Sequence, residues 1–190
     1  MLRHLFVLLS VYLFCTTLSA NPIKVLFLGH ASRTQHNSQV NHWKLIPQFL
    51  RSGIEMTYSE NLEDMNSETL EKYDALIMYA NYYTCTPEQE KALISYVENG
   101  GGFVPLHCAS WCFANSPAFT KLVGAHFSIY NTGWFTTKFA EGKKAHKSLG
   151  GIKEFELWDG TYVHKYFNPD RTDLPIWRRR RGIKFPVNLK

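Results

Sequence analysis

"YDALIMYANYYTCTPEQEKALISYVENGGGFVPLHCASWCF", residues 73–113, sets two apolar runs on either side of a strongly signalled helix. "YDALIMYA" is short, apolar on both faces and bounded by polar residues, the pattern of a fully buried strand. Thr86 then reads as an N-cap, with Pro87 at the first helical position and Gln89 completing a capping box. Ala92, Leu93, Tyr96 and Val97 supply the apolar face, and Asn99-Gly100 close the helix. "GFVPLH" is the next strand. Strand, helix and strand joined this closely form a right-handed parallel crossover.

Outward from this unit the pattern repeats. "IKVLFL", residues 23–28, is another buried strand, ended by Gly29-His30. "SQVNHWKLIPQFLRSG" follows as a helix, with Val40, Trp43, Ile46 and Leu50 on one stripe, Pro47 as a kink and Gly53 as the stop. "IEMTYS" is a further strand. The alternation predicts an α/β fold: a mostly parallel sheet with helices on both faces. After about Gly124 the chain turns β-rich. "GWFTTKFA", "KEFELWD" and "TYVHKYF" alternate and are expected as antiparallel or edge strands.

The ends differ from the body. Met1-Leu2-Arg3-His4, an apolar run and "TTLSA" read as a secretory signal peptide over residues 1–20, cleaved after Ala20, so the protein is expected in the periplasm or secreted. The apolar run is shorter than the roughly 20 residues of a membrane span, so a membrane-embedded protein is not expected. The formal charge is +5, yet residues 21–177 hold fourteen Lys/Arg against sixteen Asp/Glu. The excess lies in "RRRRGIKFPVNLK", residues 178–190, expected as a basic irregular tail. A charge confined to one end is not the basic face of a specific nucleic-acid binder. Cys85, Cys108 and Cys112 remain after cleavage, too few and too uneven for a disulfide framework.

In an open parallel sheet, function gathers at the carboxyl ends of the strands. Gly29 and His30 follow the first strand, Asn81 the third, and His107 and Cys108 the fourth; Ser32, Arg33, Thr34 and His36 add polar reach. A strand-to-helix elbow exposes one side chain at its apex, and here either His107 or Cys108 could occupy it. A cysteine at a helix start can be activated, but it needs a histidine within hydrogen-bond reach.

"KVLFLGH", residues 73–113, "LVGAHFSIY" and "TYVHKYFNPDRT", taken in this order over about residues 23–172, resemble the ThuA-like (trehalose utilisation) family. That family belongs to the class I glutamine amidotransferase-like superfamily, so the resemblance implies a flavodoxin-like core. The amidotransferase elbow G-x-C-x-G, laid on Pro105-Leu106-His107-Cys108-Ala109, puts His107 at the cysteine position, so amidotransfer is not expected. Pro105 replaces a glycine common in the family, and Gly160 an acidic residue. The last family strands and a closing Gly-His segment have no counterpart, so the domain, residues 21–177, is expected to be C-terminally incomplete.

The resemblance also covers His30, His126 and His164. It makes His107, His30 and His164 the candidate catalytic residues, acting in acid–base chemistry on a sugar. Asn81, His126 and Trp111 are the candidate sugar contacts; aromatic faces suit sugar rings, and Trp43, Trp134 and Trp158 are further aromatic candidates. No compact ligand spacing such as H-E-x-x-H occurs, so no metal is assigned, and the cofactor is left open. Three functions stay open: an exported enzyme of trehalose or 3-keto sugar utilisation, a non-catalytic sugar-binding or assembly module, and a cysteine hydrolase using Cys108. The partner expected is a small sugar, with oligomer formation left open.

Overall fold

The computed structural model describes residues 21–30 and 36–179. The expected signal peptide, the loop residues Ser32, Arg33 and Thr34, and the chain beyond residue 179 lie outside the described residues. Within them the elements run β1 (Ile23–Leu28), α1 (Ser38–Arg51), β2 (Ile54–Ser59), α2 (Ser67–Leu70), β3 (Ala75–Met78), α3 (Pro87–Glu98), β4 (Gly102–Pro105), a 3₁₀ turn (His107–Trp111), α4 (Pro117–Val123), β5 (His126–Phe139), β6 (Glu156–Lys165) and β7 (Pro175–Arg179), with two further short 3₁₀ turns.

The first four strands form one parallel sheet in the order β2-β1-β3-β4, the order of a flavodoxin-like sheet. Successive side chains of a strand point to opposite faces, and β1 uses both. Leu26 and Leu28, with Leu76 and Met78, meet Leu70, Ala92, Leu93 and Phe119 from α2, α3 and α4. Val25 and Phe27, with Ile77 and Tyr79, meet Leu45 and Phe49 of α1 on the other face. Helices therefore cover both faces, as the alternation of elements predicts. Each fully buried Leu or Phe contributes roughly 1.5–3 kcal/mol, which makes these two layers the main source of stability.

The capping box of α3 forms as read. Gln89 N–H donates to Thr86 Oγ1 and Thr86 N–H donates to Gln89 Oε1, at 3.2 and 3.0 Å. The glycines after α3 have separate reasons. Gly100 closes the helix at φ +97°, and a Cβ on Gly101 would come within 2.4 Å of the Tyr96 ring. β4 is an edge of the described sheet, where the missing N–H of Pro105 is tolerated.

α1 corrects the sequence reading of its apolar face. Val40, Trp43 and Leu50 are exposed, while Ser38 and His42 are buried and Leu45 and Phe49 pack on the sheet. Two stripes compete on this helix, and the one through residues 38, 42, 45 and 49 wins because it faces Phe27 and Tyr58. The polarity of Ser38 and His42 hides it in the sequence.

After Gly124 the three remaining strands form an antiparallel sheet in the order β6-β5-β7. "KEFELWD" and "TYVHKYF", expected as two strands, are joined in the single strand β6; Gly160 does not break it, since it pairs with Thr132 of β5. β7 carries the ladder through Arg179, two residues past the boundary drawn at 177.

His42 is 5% exposed, its ring 4.8 Å from that of Tyr58 and 5.3 Å from that of Phe27. Neither ring nitrogen has a hydrogen-bond partner among the described residues. Burial holds the imidazole pKa below its ordinary 6.5. The unfolded chain therefore takes up this proton first as pH falls, so the fold keeps its stability above about pH 6.5 and loses it progressively below. His42→Leu is expected to raise stability by about 1 kcal/mol near neutral pH and to flatten the loss toward about pH 5.5. Denaturant melts at both pH values check this; a variant as acid-sensitive as the wild type, and no more stable, contradicts it.

Candidate functional site

β4 ends with the Leu106 N–H donating to the Met78 carbonyl at 2.8 Å, the last bond of that edge. The next residue, His107, turns out of the sheet at φ +50°. A non-glycine residue in this left-handed region costs roughly 1–2 kcal/mol, and such positions gather at functional sites. The 3₁₀ turn then starts, with Ala109 N–H donating to Leu106 O at 3.0 Å and Ser110 Oγ to His107 O at 3.2 Å. His107 is thus the apex residue and exposed, and Cys108 lies behind it, 3% exposed.

Three rings crowd the His107 imidazole. Tyr79 stacks at 6.1 Å, Tyr162 lies at 4.7 Å and His36 stands edge-on at 4.8 Å. His107 Nε2 is 3.3 Å from the Tyr162 hydroxyl. Desolvation, with His36 adding to it, holds His107 below the ordinary histidine pKa; Asp159 opposes this. Burial pushes the Tyr162 hydroxyl well above the usual tyrosine range, with charge from Cys108 and Tyr79 adding to it. At neutral pH the pair is therefore a neutral imidazole beside a protonated phenol. One atom can take a proton and the other can give one.

Two hollows flank this pair. One, about 270 Å³, is lined by His36, His107, Trp158, Asp159, Gly160 and Tyr162 among others. The other, about 310 Å³, is lined by His36, Asn81, Cys108, Trp111 and Tyr162 among others. A Cβ at Gly160 would stand in ordinary contact, 3.5 Å from the Tyr130 ring, so a small side chain fits here without a clash.

The remaining candidate histidines have partners of their own. His164 Nε2 lies 3.3 Å from Ser110 Oγ, and desolvation, then His126 and Arg171, lower its pKa. His126 Nδ1 is 2.7 Å from the Phe127 carbonyl, while its Nε2 is buried without a partner among the described residues. His30 packs its ring edge-on against Tyr82 at 5.0 Å, and its backbone N–H donates to Ser38 Oγ. Asn81 and Trp111 do line the 310 Å³ hollow.

Tyr162, Tyr79, Asp159 and Ser110 were not among the candidates drawn from sequence. The period of two along β6 puts Tyr162 on the face of His164, so one candidate points to the other. Among the described residues no group of three His, Cys, Asp or Glu side chains could hold a metal ion. Burial pushes the Cys108 thiol up to about 11, against a lowering backbone hydrogen bond. Cys112 is fully buried and donates its S–H to the Ala80 carbonyl at 3.0 Å.

Two stability measurements check the elbow. His107→Gly is expected to be about 1 kcal/mol more stable than His107→Ala, because only glycine enters the left-handed region freely. Cys108→Ser is expected to cost about 1–3 kcal/mol, since it buries a hydroxyl among apolar groups. Equal stability of the two His107 variants contradicts the turn geometry.

Two solved structures share the fold. One is a ThuA-like protein from Bacteroides uniformis, TM-score 0.67 and 19% identical, covering 80% of this chain and 65% of its own. The other is a ThuA-like protein from Parabacteroides merdae, TM-score 0.66 and 18% identical, covering 81% and 67%. The chain thus spans about two thirds of the length of these relatives. Comparison with curated proteins returns no match. The family model for ThuA, trehalose utilisation, matches residues 24–177, taking in both sheets and the His107 elbow between them. The chain belongs to the ThuA family.

Proposed function

We propose that the protein is an exported, sugar-active member of the ThuA family that moves protons on a saccharide with His107 and Tyr162. The observation that carries this reading is the 3.3 Å approach of His107 Nε2 to the Tyr162 hydroxyl, where Tyr162 lines both hollows and His107 the 270 Å³ one. The neutral imidazole acts as the base and the phenol holds or protonates a sugar oxygen. His36 and Tyr79 orient the ring, and Asp159 stands ready to stabilise an imidazolium as it forms. Asn81 and Trp111 offer a hydrogen-bonding amide and an aromatic face to the same sugar. The family's description supplies the trehalose class, with 3-keto sugars as the oxidised relatives to test.

A cysteine hydrolase fits less well. Its nucleophile would be a buried thiol pushed up to about 11, far from the thiolate such chemistry needs. Export rests on the sequence of residues 1–20, which reads as a cleavable signal. N-terminal sequencing of exported protein is expected to begin at Asn21; material beginning at Met1 contradicts it.

Turnover of trehalose, related disaccharides and their 3-keto forms tests the chemistry. His107→Ala and Tyr162→Phe are each expected to lower kcat by about 10²–10⁴-fold. In the wild type, kcat/KM rises with pH through a value below 6.5, where His107 loses its proton, and then levels. Binding that survives in both variants, with no turnover in any form, would instead mark a sugar-binding module. Full activity in His107→Ala overturns the proposal.

A further inference from the structure

A third cavity, about 900 Å³, is larger than the two hollows at His107 together and shares Trp111 and Phe127 with the 310 Å³ one. The small hollows sit near the roughly 300 Å³ lower bound of ligand sites, and this one near the upper. A saccharide reacting at His107 has room there for one ring, and its remainder has this adjoining cleft to enter. The walls are of two kinds. Trp111 and Tyr83 present paired rings 5.1 Å apart. The lining also carries Lys121, from the last turn of α4, and Lys165, at the end of β6.

Neither lysine has a carboxylate within ion-pair distance among the described residues, where the ion pairs are Lys72–Glu68 and Arg171–Asp173. Lys165 instead lies over the Tyr166 ring, 5.0 Å from its centre. Asp170 is the one carboxylate on the lining. Arg171 lies over the Phe167 ring of the lining but is held by Asp173, so the free positive charge here is that of the two lysines. Two unpaired ammonium groups on the rim of an aromatic-walled cleft suit an anionic sugar unit better than a neutral one.

We infer that this cleft receives the non-reacting part of the substrate, and that this part carries an anion, a carboxylate or a phosphate, met by Lys121 and Lys165 while its ring lies against Trp111 and Tyr83. The inference rests on the reading of His107 as the sugar-reacting site. Within the class proposed above, it makes an acidic glycoside the preferred substrate over the neutral disaccharide.

Calorimetric titration of the full chain with trehalose, trehalose 6-phosphate and a glucuronic-acid-containing disaccharide tests it. At low salt at least one anionic probe is expected to bind up to about tenfold tighter than trehalose, the scale of two solvent-facing charge pairs. The preference should shrink at high salt, where screening over about 8 Å or less reaches the rim, and vanish in the Lys121→Gln/Lys165→Gln double variant. The two anionic probes tell phosphate from carboxylate. Equal binding of all three, binding of none, or a preference that survives the double variant overturns the inference. A lysine-dependent preference beside an unchanged His107→Ala variant would keep the anionic cleft and defeat the His107 reading. A His107-dependent turnover with no anion preference would do the reverse.

Discussion

The pairing of β1 with β3, from Val25 opposite Ala75 to Leu28 opposite Met78, ties together every layer of the described domain. β2 attaches to the far side of β1 and β4 to the far side of β3. Alternate residues of the two central strands feed the two apolar layers, one against α1 and the other against α2, α3 and α4. A polar residue at Phe27 or Met78 would disturb both sheet and layer at once, because neither has any exposed surface. The same pairing brings the carboxyl ends of β1, β3 and β4 to one edge. Tyr79, Asn81 and His107 meet there as a consequence of topology rather than of nearness in sequence.

The second sheet completes the site. β5 and β6 bring Phe127, Tyr130, Asp159 and Tyr162 to the elbow, where they line the hollows and partly desolvate the His107 ring although the residue stays exposed. Desolvation by these rings does opposite things to the two partners, because it always disfavours the charged form. It keeps His107 without its extra proton and Tyr162 with its own. A functional pair poised for proton transfer thus needs no charged neighbour in direct contact. The left-handed backbone of His107, one of three such non-glycine positions among the described residues with Phe113 and Tyr166, is held by Leu106 on the sheet side and the 3₁₀ turn on the other.

Much of this was legible in residues 73–113. The capping box, the buried third strand and the histidine at the apex all depend on local chemistry, and all stand where that chemistry puts them. α4 was missed although Ser116, Pro117 and Gly124 carry its cap, its first position and its left-handed stop; seven residues give too little periodicity to draw attention. The face of α1 was misread because the buried stripe contains a serine and a histidine, whose places are decided by Tyr58 and Phe27 across the sheet. The partners of His30 and His126 were hidden for the same reason: strand ends share an edge, but the sequence does not say which neighbours each side chain meets. Tyr162 was within reach, two residues before a histidine already singled out.

Side-chain NMR of the histidines, recorded across pH with and without trehalose or trehalose 6-phosphate, tests the central claim most directly. The account predicts that the His107 imidazole titrates below 6.5, and that its signals move when the saccharide binds. A His107 that titrates at or above 6.5 and is indifferent to either sugar would contradict it.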